Sequence, residues 1–218
     1  MKRAKVTPAK EADGRPEWLQ RLPDPWDEKL LAAAFDVFAA KGFDGATVAE
    51  IAATAEISKR TLYERYADKA DLFRALLAWS ARENLPEGLT AGKFDAEEAL
   101  TKHAEAVLAA MMRPESIALM RIVASTSPRF PEIGRMFDEM TRAASLKIVR
   151  ALAWKLAKEK KIPTPNYDDF ASDFIGLLRG DLYFRALVGA TNPLSQAKVA
   201  AEAKRVVAVL LKAYRTKG

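Results

Sequence analysis

The sequence predicts an all-α fold of about nine helices. Apolar residues recur every three or four positions over most of the chain, as Leu30, Ala34 and Phe38 do. Proline, glycine and asparagine interrupt this pattern at intervals and so mark the ends of the helices. No stretch of the sequence alternates polar and apolar residues in the way that requires a strand. We therefore expect an entirely helical protein.

The composition is that of an ordinary globular protein. Of the 218 residues, 50% are hydrophobic and 29% are charged, which suffices for one large domain or two modest ones. The absence of cysteine excludes disulfides and thiolate metal sites. No apolar run approaches the ~20 residues that cross a bilayer, and no apolar segment follows the basic N-terminus as in a signal peptide. A cytoplasmic location is therefore expected.

The positive net charge does not by itself indicate binding to nucleic acid. The chain carries +6 at pH 7, but residues 1–85 contain equal numbers of basic and acidic residues. The excess of basic residues therefore lies in residues 86–218. Only the placement of individual cations can argue for contact with a polyanion.

The first 26 residues contain four prolines among many charges, which predicts an extended arm. This arm, residues 1–26, either contacts nucleic acid through its basic side chains or is merely solvated, and both alternatives stay open. The first helix is expected to start at Asp27 and to end at Gly42, because glycine is the usual residue after a helix.

Residues 47–66 predict two short helices joined by a tight turn. Thr47 is a plausible N-cap, with Glu50 three positions later as in a capping box, and this second helix extends to about Ala55. Ser58 then caps a third helix that extends to about Tyr66.

The third helix has two different faces. Its inward face holds Ile57, Leu62 and Tyr66, whereas its outward face begins with cations and carries an aromatic side chain. A short helix that opens in this way, braced by an apolar partner helix, is typical of proteins that read the major groove of double-stranded DNA. The sequence therefore predicts sequence-specific DNA binding.

The remaining chain continues as helices. A fourth helix is predicted from about Asp68 to Pro86, followed by a linker at residues 86–93. The further helices are predicted at residues 95–112, 115–125, 131–161, 167–189 and 194–215.

The segment from Gly45 to Phe73 resembles the DNA-binding motif of the TetR family of bacterial transcriptional regulators. The shared residues are Gly42-Phe43, Thr47, Ile51-Ala52, Ile57-Ser58, Thr61-Leu62-Tyr63, Tyr66, Lys69 and Leu72-Phe73. The family usually has glycine where Glu56 stands, in a turn that needs a left-handed backbone. This departure costs ~1 kcal/mol, which firm packing can offset.

The resemblance implies a DNA-binding domain at residues 27–75 and assigns roles to its side chains. The implied DNA-binding residues are Thr47, Ser58, Lys59, Arg60, Thr61, Tyr63 and Lys69. Of these, Lys59, Arg60 and Thr61 would face base edges, with arginine able to bind guanine in a bidentate manner. Thr47 and Lys69 would hold phosphates, and Tyr63 would contact a phosphate or a thymine methyl. Ser58 is expected to cap the third helix rather than to contact a base.

Residues 76–218 resemble effector-binding and dimerisation domains of the same family, especially around residues 121–137. By that analogy the last two long helices would pair with those of a second copy. The expected interface residues are Phe170, Leu177, Leu178, Phe184, Val206 and Leu210, whose helices are more apolar than one core face requires. The alternative is that these stripes serve the core of a single chain.

The resemblance also implies a cavity for a small effector. The candidate lining residues are Trp79, Met111, Met112, Met120, Met136, Phe137, Met140, Trp154 and Phe174, and for any one of them ordinary core packing is the alternative. Few ionisable groups fall among these positions, which favours an apolar or aromatic effector. His103 lies among alanine, glutamate and lysine and is expected on the surface.

Together these observations predict a homodimeric repressor that a small effector releases from a palindromic operator. An enzyme is disfavoured, because one histidine and no cysteine exclude most nucleophile–base pairs and zinc sites. No cofactor or metal is expected. The alternative is a helical dimeric interaction protein without specific DNA binding, which would leave the cations of the third helix without a purpose.

Overall fold

The computed structural model describes residues 25–83, 95–163, 165–191 and 194–215. Within these ranges it contains ten helices and no strand, so the all-α prediction is confirmed. The helices are α1 (Pro25–Gly45), α2 (Val48–Thr54), α3 (Lys59–Arg65), α4 (Lys69–Glu83), α5 (Ala96–Met111), α6 (Pro114–Thr126), α7 (Pro131–Lys158), α8 (Tyr167–Leu178), α9 (Asp181–Leu187) and α10 (Gln196–Arg215).

The N-terminal helices pack around an aromatic cluster. The ring of Phe38 lies 5.0 Å from that of Phe73 and 5.7 Å from that of Phe43, measured between centroids. These side chains are almost fully buried and bring α1 onto α4. Helix α1 is broken at Gly42, whose φ of 70° is accessible to glycine without strain, as expected for a helix stop.

The local features predicted for the helix pair are present. The Thr47 hydroxyl accepts a hydrogen bond from the Glu50 amide, and the Glu50 side chain accepts one from the Thr47 amide. The Ser58 hydroxyl accepts from the Thr61 amide. Glu56 has a φ of 57°, so a left-handed backbone does occur at the turn between α2 and α3.

The C-terminal helices form a second hydrophobic core. Helix α10 packs on α5 and α8, and α7 packs on α5 and α8. Phe170 and Phe174 of α8 are fully buried there, and Phe170 stacks edge-on against Tyr214 of α10 at 4.8 Å between centroids. The Tyr214 hydroxyl donates to the Asp173 carboxylate at 2.8 Å, which ties α10 to α8.

The predicted helix at residues 167–189 is wrong as a single element. Helix α8 ends at Leu178 and α9 starts at Asp181, with Gly180 between them in an extended conformation (φ −65°, ψ −157°). The Gly180 amide donates to the Leu177 carbonyl at 3.2 Å. A Cβ atom at Gly180 would lie 3.1 Å from that carbonyl oxygen, so the tight turn favours glycine.

The two cores meet along α6 and α7. The hydrophobic cluster of α1 to α4 also includes Leu119, Ile122 and Val123 of α6 and Ile133 and Met140 of α7. The predicted domain boundary near residue 75 stays a prediction. The predicted linker at residues 86–93 and residues 1–24 of the predicted arm lie outside the described residues. In the described ranges, no helix combines the length and hydrophobicity needed to cross a membrane.

Candidate nucleic-acid interface and effector cavity

Helix α3 presents its polar face to solvent and its apolar face to the core. Lys59, Arg60 and Tyr63 are exposed, with 53% of Tyr63 accessible, whereas Leu62 is fully buried. The Arg60 guanidinium lies 3.0 Å from the Glu64 carboxylate one turn later, and its side chain is 89% exposed. Such an exposed pair contributes little to stability and leaves the guanidinium free to exchange partners.

The C-terminal end of α3 is attached to α1. The Arg65 guanidinium donates to the Asp27 carboxylate at 2.9 Å, and the Tyr66 hydroxyl donates to the same oxygen at 3.2 Å. Burial, together with the negative charge of Asp27, raises the pKa of Tyr66. These contacts orient α3 on the N-terminal core.

The hydroxyl groups at the start of α2 and α3 are engaged within the chain. The Ser58 and Thr61 hydroxyls lie 2.8 Å apart, and Thr61 is half-buried. The Thr47 amide is bound by Glu50, whose carboxylate also pairs with the Lys41 ammonium. That hydrogen bond to Lys41 lowers the pKa of Glu50. A phosphate at Thr47 would therefore have to displace Glu50 from the amide.

Lys69 does not lie on the exposed face of the helix pair. Its ammonium donates to the carbonyls of Phe43, Asp44 and Ala46 at 2.6, 3.3 and 2.9 Å. All three of its protons are thus bound to the α1–α2 corner (residues 43–46), and the expected phosphate contact must be revised. The side chain instead fixes the start of α4 against this corner.

The loop between α6 and α7 reaches the same corner from the other side. The Arg129 guanidinium lies 2.5 Å from the Asp44 carboxylate, and the Phe130 ring lies edge-on to Phe43 at 5.2 Å between centroids. Arg121 of α6 donates to the carbonyls at the end of α9, with distances of 2.7 and 2.9 Å. The segment 121–137 therefore connects the C-terminal part of the chain to the helix pair.

A cavity of about 130 Å³ lies among α4 to α9. Of the expected lining residues, it contains Met111, Phe137 and Met140. The other expected residues are not part of the lining. Met112 and Phe174 are buried in the C-terminal core, Trp79, Met120 and Met136 pack against the cores, and Trp154 is 49% exposed. Apolar spacing identified buried side chains correctly but could not show which of them border a void.

The expected surface position of His103 is wrong, because the side chain is only 1% exposed and lines the cavity. Its Nε2 lies 3.0 Å from the Ser145 hydroxyl, whereas its buried Nδ1 has no partner among the described residues. Burial lowers the pKa of His103 to about 4, so the ring is neutral at pH 7. The signal in the sequence is that position 103 continues the apolar stripe of Leu100 and Val107.

The cavity lining is also less apolar than expected. Arg142, Arg179 and Tyr183 border it, along with several hydroxyl side chains. Within the described residues, the Arg142 guanidinium donates to the Ser172 hydroxyl at 3.4 Å. In the same ranges, no group of three or more acidic or histidine side chains is placed to hold a metal ion. A ligand that bears a polar group is therefore compatible with this cavity.

Most of the expected dimer residues lie inside the chain. Phe170, Leu178, Val206 and Leu210 are at most 3% exposed and belong to the C-terminal core. Helices α5 and α7 of the same chain thus cover most of the apolar stripes of α8 and α10. This is the alternative in which the stripes form the core of a single chain. Leu177 is half-buried, and Phe184 is 61% exposed. The exposed Val188 and Val209, also in this part of the chain, were not predicted.

Two segments of the chain match known families. Residues 98–216 match the C-terminal domain of AefR-like transcriptional repressors, and residues 30–76 match the bacterial regulatory proteins of the tetR family. A stretch of 57 residues is also 39% identical to an uncharacterized HTH-type transcriptional regulator, YdeS, of Bacillus subtilis strain 168. That stretch spans 26% of this chain and 29% of YdeS.

The fold is similar to that of several solved structures. A protein from Mesorhizobium loti MAFF303099, assigned to the TetR-family transcriptional regulators, has a TM-score of 0.74 and 26% identity, over 92% of this chain and 100% of its own. The flavonoid-responsive regulator FrrA has a TM-score of 0.69 and 26% identity, over 88% and 98% of the two chains. A TetR transcriptional regulator from Agrobacterium tumefaciens shares the fold, with a TM-score of 0.71 and 22% identity over 88% and 94%.

Proposed function

This chain belongs to the TetR family of bacterial transcriptional regulators, and we propose that it is a repressor released from a palindromic operator by a small ligand. Members of the family are DNA-binding transcription factors and not enzymes. Family membership also disfavours the alternative of a helical interaction protein without DNA binding. The observation that carries the proposal is the exposed face of α3, which is fixed to α1 through Asp27.

Base readout is assigned to the start of α3. Lys59 and Arg60 are exposed there, and their side chains are long enough to reach base edges when the helix lies in the major groove. Tyr63 follows one turn later on the same face and would contact a phosphate or a thymine methyl. The hydroxyls of Ser58 and Thr61 are hydrogen-bonded to each other, which stabilises the start of α3.

Helix α4 provides a physical connection between the ligand and the operator. Lys69 at its start holds the α1–α2 corner, and Leu77 and Ser80 in its later turns line the cavity. A ligand that displaces α4 would therefore move the corner, and with it α2 and α3. A differential affinity of ~1–3 kcal/mol between two positions of α4 suffices for meaningful control.

Dimerisation is proposed through the exposed side of the C-terminal helices. The family acts as dimers, and this chain exposes Phe184, Val188 and Val209 on or beside α9 and α10. Exposed apolar side chains are typical of an interface when they form one patch. A two-fold dimer would separate two α3 helices by about one turn of DNA, ~34–36 Å, which favours a palindromic operator.

An aromatic effector is supported by the cavity and by one relative. Phe137, Met111 and Met140 supply an adaptable apolar lining. The similar regulator FrrA is flavonoid-responsive, which makes phenolic compounds a reasonable first class to test here.

The proposal is tested by titrating the protein against DNA that contains a palindrome from its own promoter. Fluorescence anisotropy should give binding that is stronger than to scrambled DNA of equal length and that weakens as salt rises. The control is Arg60→Ala, which should reduce the difference in affinity between the two DNAs. Equal affinity for both DNAs would contradict the proposal.

A further inference from the structure

In the part of the chain that the structure describes, the lining of the cavity contains a histidine with an unpartnered ring nitrogen. His103 is the only histidine of the chain, and its ring stacks on Phe174 with 5.8 Å between centroids. Its Nε2 is bound to the Ser145 hydroxyl, but its buried Nδ1 has no hydrogen-bond partner within the described ranges. Both residues line the cavity. A buried ring nitrogen without a partner destabilises the folded chain, so a ligand that satisfies it gains affinity.

The volume of the cavity suits a ligand of about one ring. Its volume is about 130 Å³, close to the ~150 Å³ of an engineered apolar cavity that binds benzene. The apolar part of the lining, with Met111, Phe137 and Met140, suits the faces of a single aromatic ring.

The neutral state of His103 indicates which polar group fits. A neutral imidazole has one donor and one acceptor nitrogen, and the bond to Ser145 is possible in either tautomer. The unpartnered Nδ1 is therefore a donor or an acceptor. A ligand hydroxyl can donate and accept, so it is complementary to both tautomers, and the Ser145 hydroxyl offers it a second contact.

We propose that the cavity binds a one-ring aromatic compound bearing a hydroxyl group, and that the His103–Ser145 pair binds this hydroxyl. The identification of this compound as the effector rests on the proposed function, whereas its binding does not. The pair then determines specificity for phenols over aromatic hydrocarbons of the same size.

The test compares phenol with toluene, in which a methyl group replaces the hydroxyl. The dissociation constants of both are measured by calorimetry for the wild-type protein and for the double variant His103→Phe/Ser145→Ala. This variant removes both hydrogen-bonding groups and keeps a ring that can stack on Phe174. The matched control is Thr141→Val, because the Thr141 hydroxyl lines the cavity but already donates to the Phe137 carbonyl.

The ratio of the toluene constant to the phenol constant should fall about tenfold from the wild type to the double variant, as for the loss of one hydrogen bond. It should not change in Thr141→Val. Phenol should also shift the ¹⁵N resonance of Nδ1 in histidine-labelled, untagged protein, whereas toluene should not. An unchanged ratio in the double variant would overturn the assignment. Thermal unfolding of the variant confirms that it is folded.

Operator release is measured separately. If phenol binds with the expected ratio but leaves the affinity for the operator unchanged, the binding site stands and the effector role fails. If phenol binding does not depend on His103 and Ser145 while operator binding is intact, the site assignment fails and the regulator role stands.

Discussion

The Lys69 ammonium lies 2.6 Å from the carbonyl oxygen of Phe43 and 4.6 Å from the centroid of the Phe43 ring. These two contacts attach the first residue of α4 to the end of α1. Because α4 continues to the cavity, the pair forms one end of the connection that we propose between ligand and operator.

Replacing Lys69 should destabilise the fold. In Lys69→Met the three carbonyls of the α1–α2 corner lose a charged donor, while an unbranched side chain of similar length is kept. We expect the free energy of unfolding to fall by about 2 kcal/mol, measured by urea denaturation. The control Lys59→Met, at an exposed site, should stay within about 0.5 kcal/mol. If Lys69→Met is as stable as the wild type but binds DNA more weakly, Lys69 contacts a phosphate as the sequence predicted.

Replacing Glu56 by glycine should stabilise the protein. Glu56 has a φ of 57°, which strains a residue with a side chain but not glycine. Its ion pair with Lys29, at 2.7 Å, is exposed on both sides and contributes little to stability. We expect Glu56→Gly to raise the free energy of unfolding by about 0.5–1 kcal/mol. The variant Lys29→Ala measures the contribution of the ion pair alone. If Glu56→Gly loses more stability than Lys29→Ala, the backbone at Glu56 is not strained.

Features that depend on near neighbours in the chain could be predicted from the sequence. The caps at Thr47 and Ser58, the helix stop at Gly42 and the left-handed turn at Glu56 each depend on a few adjacent residues. The exposed face of α3 followed from the same local pattern.

Features that depend on packing between distant parts of the chain could not be predicted from the sequence. Burial of His103 requires Ser145, which is 42 positions away, and the partners of Lys69 lie 23 to 26 positions away. The apolar stripes around Phe170 and Val206 indicated burial, but periodicity does not tell whether the covering surface belongs to the same chain. The sequence therefore placed these residues in the correct helices but did not identify the residues that they contact.

The titration of His103 makes the free energy of unfolding depend on pH in a defined direction. Burial lowers its pKa from 6.5 to about 4, so between these values the unfolded chain binds more protons than the folded one. The free energy of unfolding should therefore fall as the pH decreases from 6.5 to 4, by on the order of 2–3 kcal/mol from this group. The fall should be steeper in the wild type than in His103→Phe. NMR of the single histidine gives the pKa directly, and a value near 6.5 would contradict the buried neutral ring.

The proposed dimer interface can be tested at Phe184. This side chain is 61% exposed in the single chain, so Phe184→Asp should fold but weaken association more than about tenfold. Sedimentation equilibrium measures the association constant. Tyr63→Asp makes the same kind of change at another exposed aromatic residue and should leave association unaltered. Equal association of wild type and Phe184→Asp would place the interface elsewhere.

Readout of a palindromic operator by α3 is tested by selecting bound DNA from a random pool. The wild type should enrich a palindrome whose half-sites are about one turn, ~34–36 Å, apart. Arg60→Ala should lose the preference at one base position in each half-site, whereas Lys147→Ala, at an exposed site on α7, should select the wild-type sequence. A pool without an enriched sequence, or the same sequence from Arg60→Ala, would contradict the account.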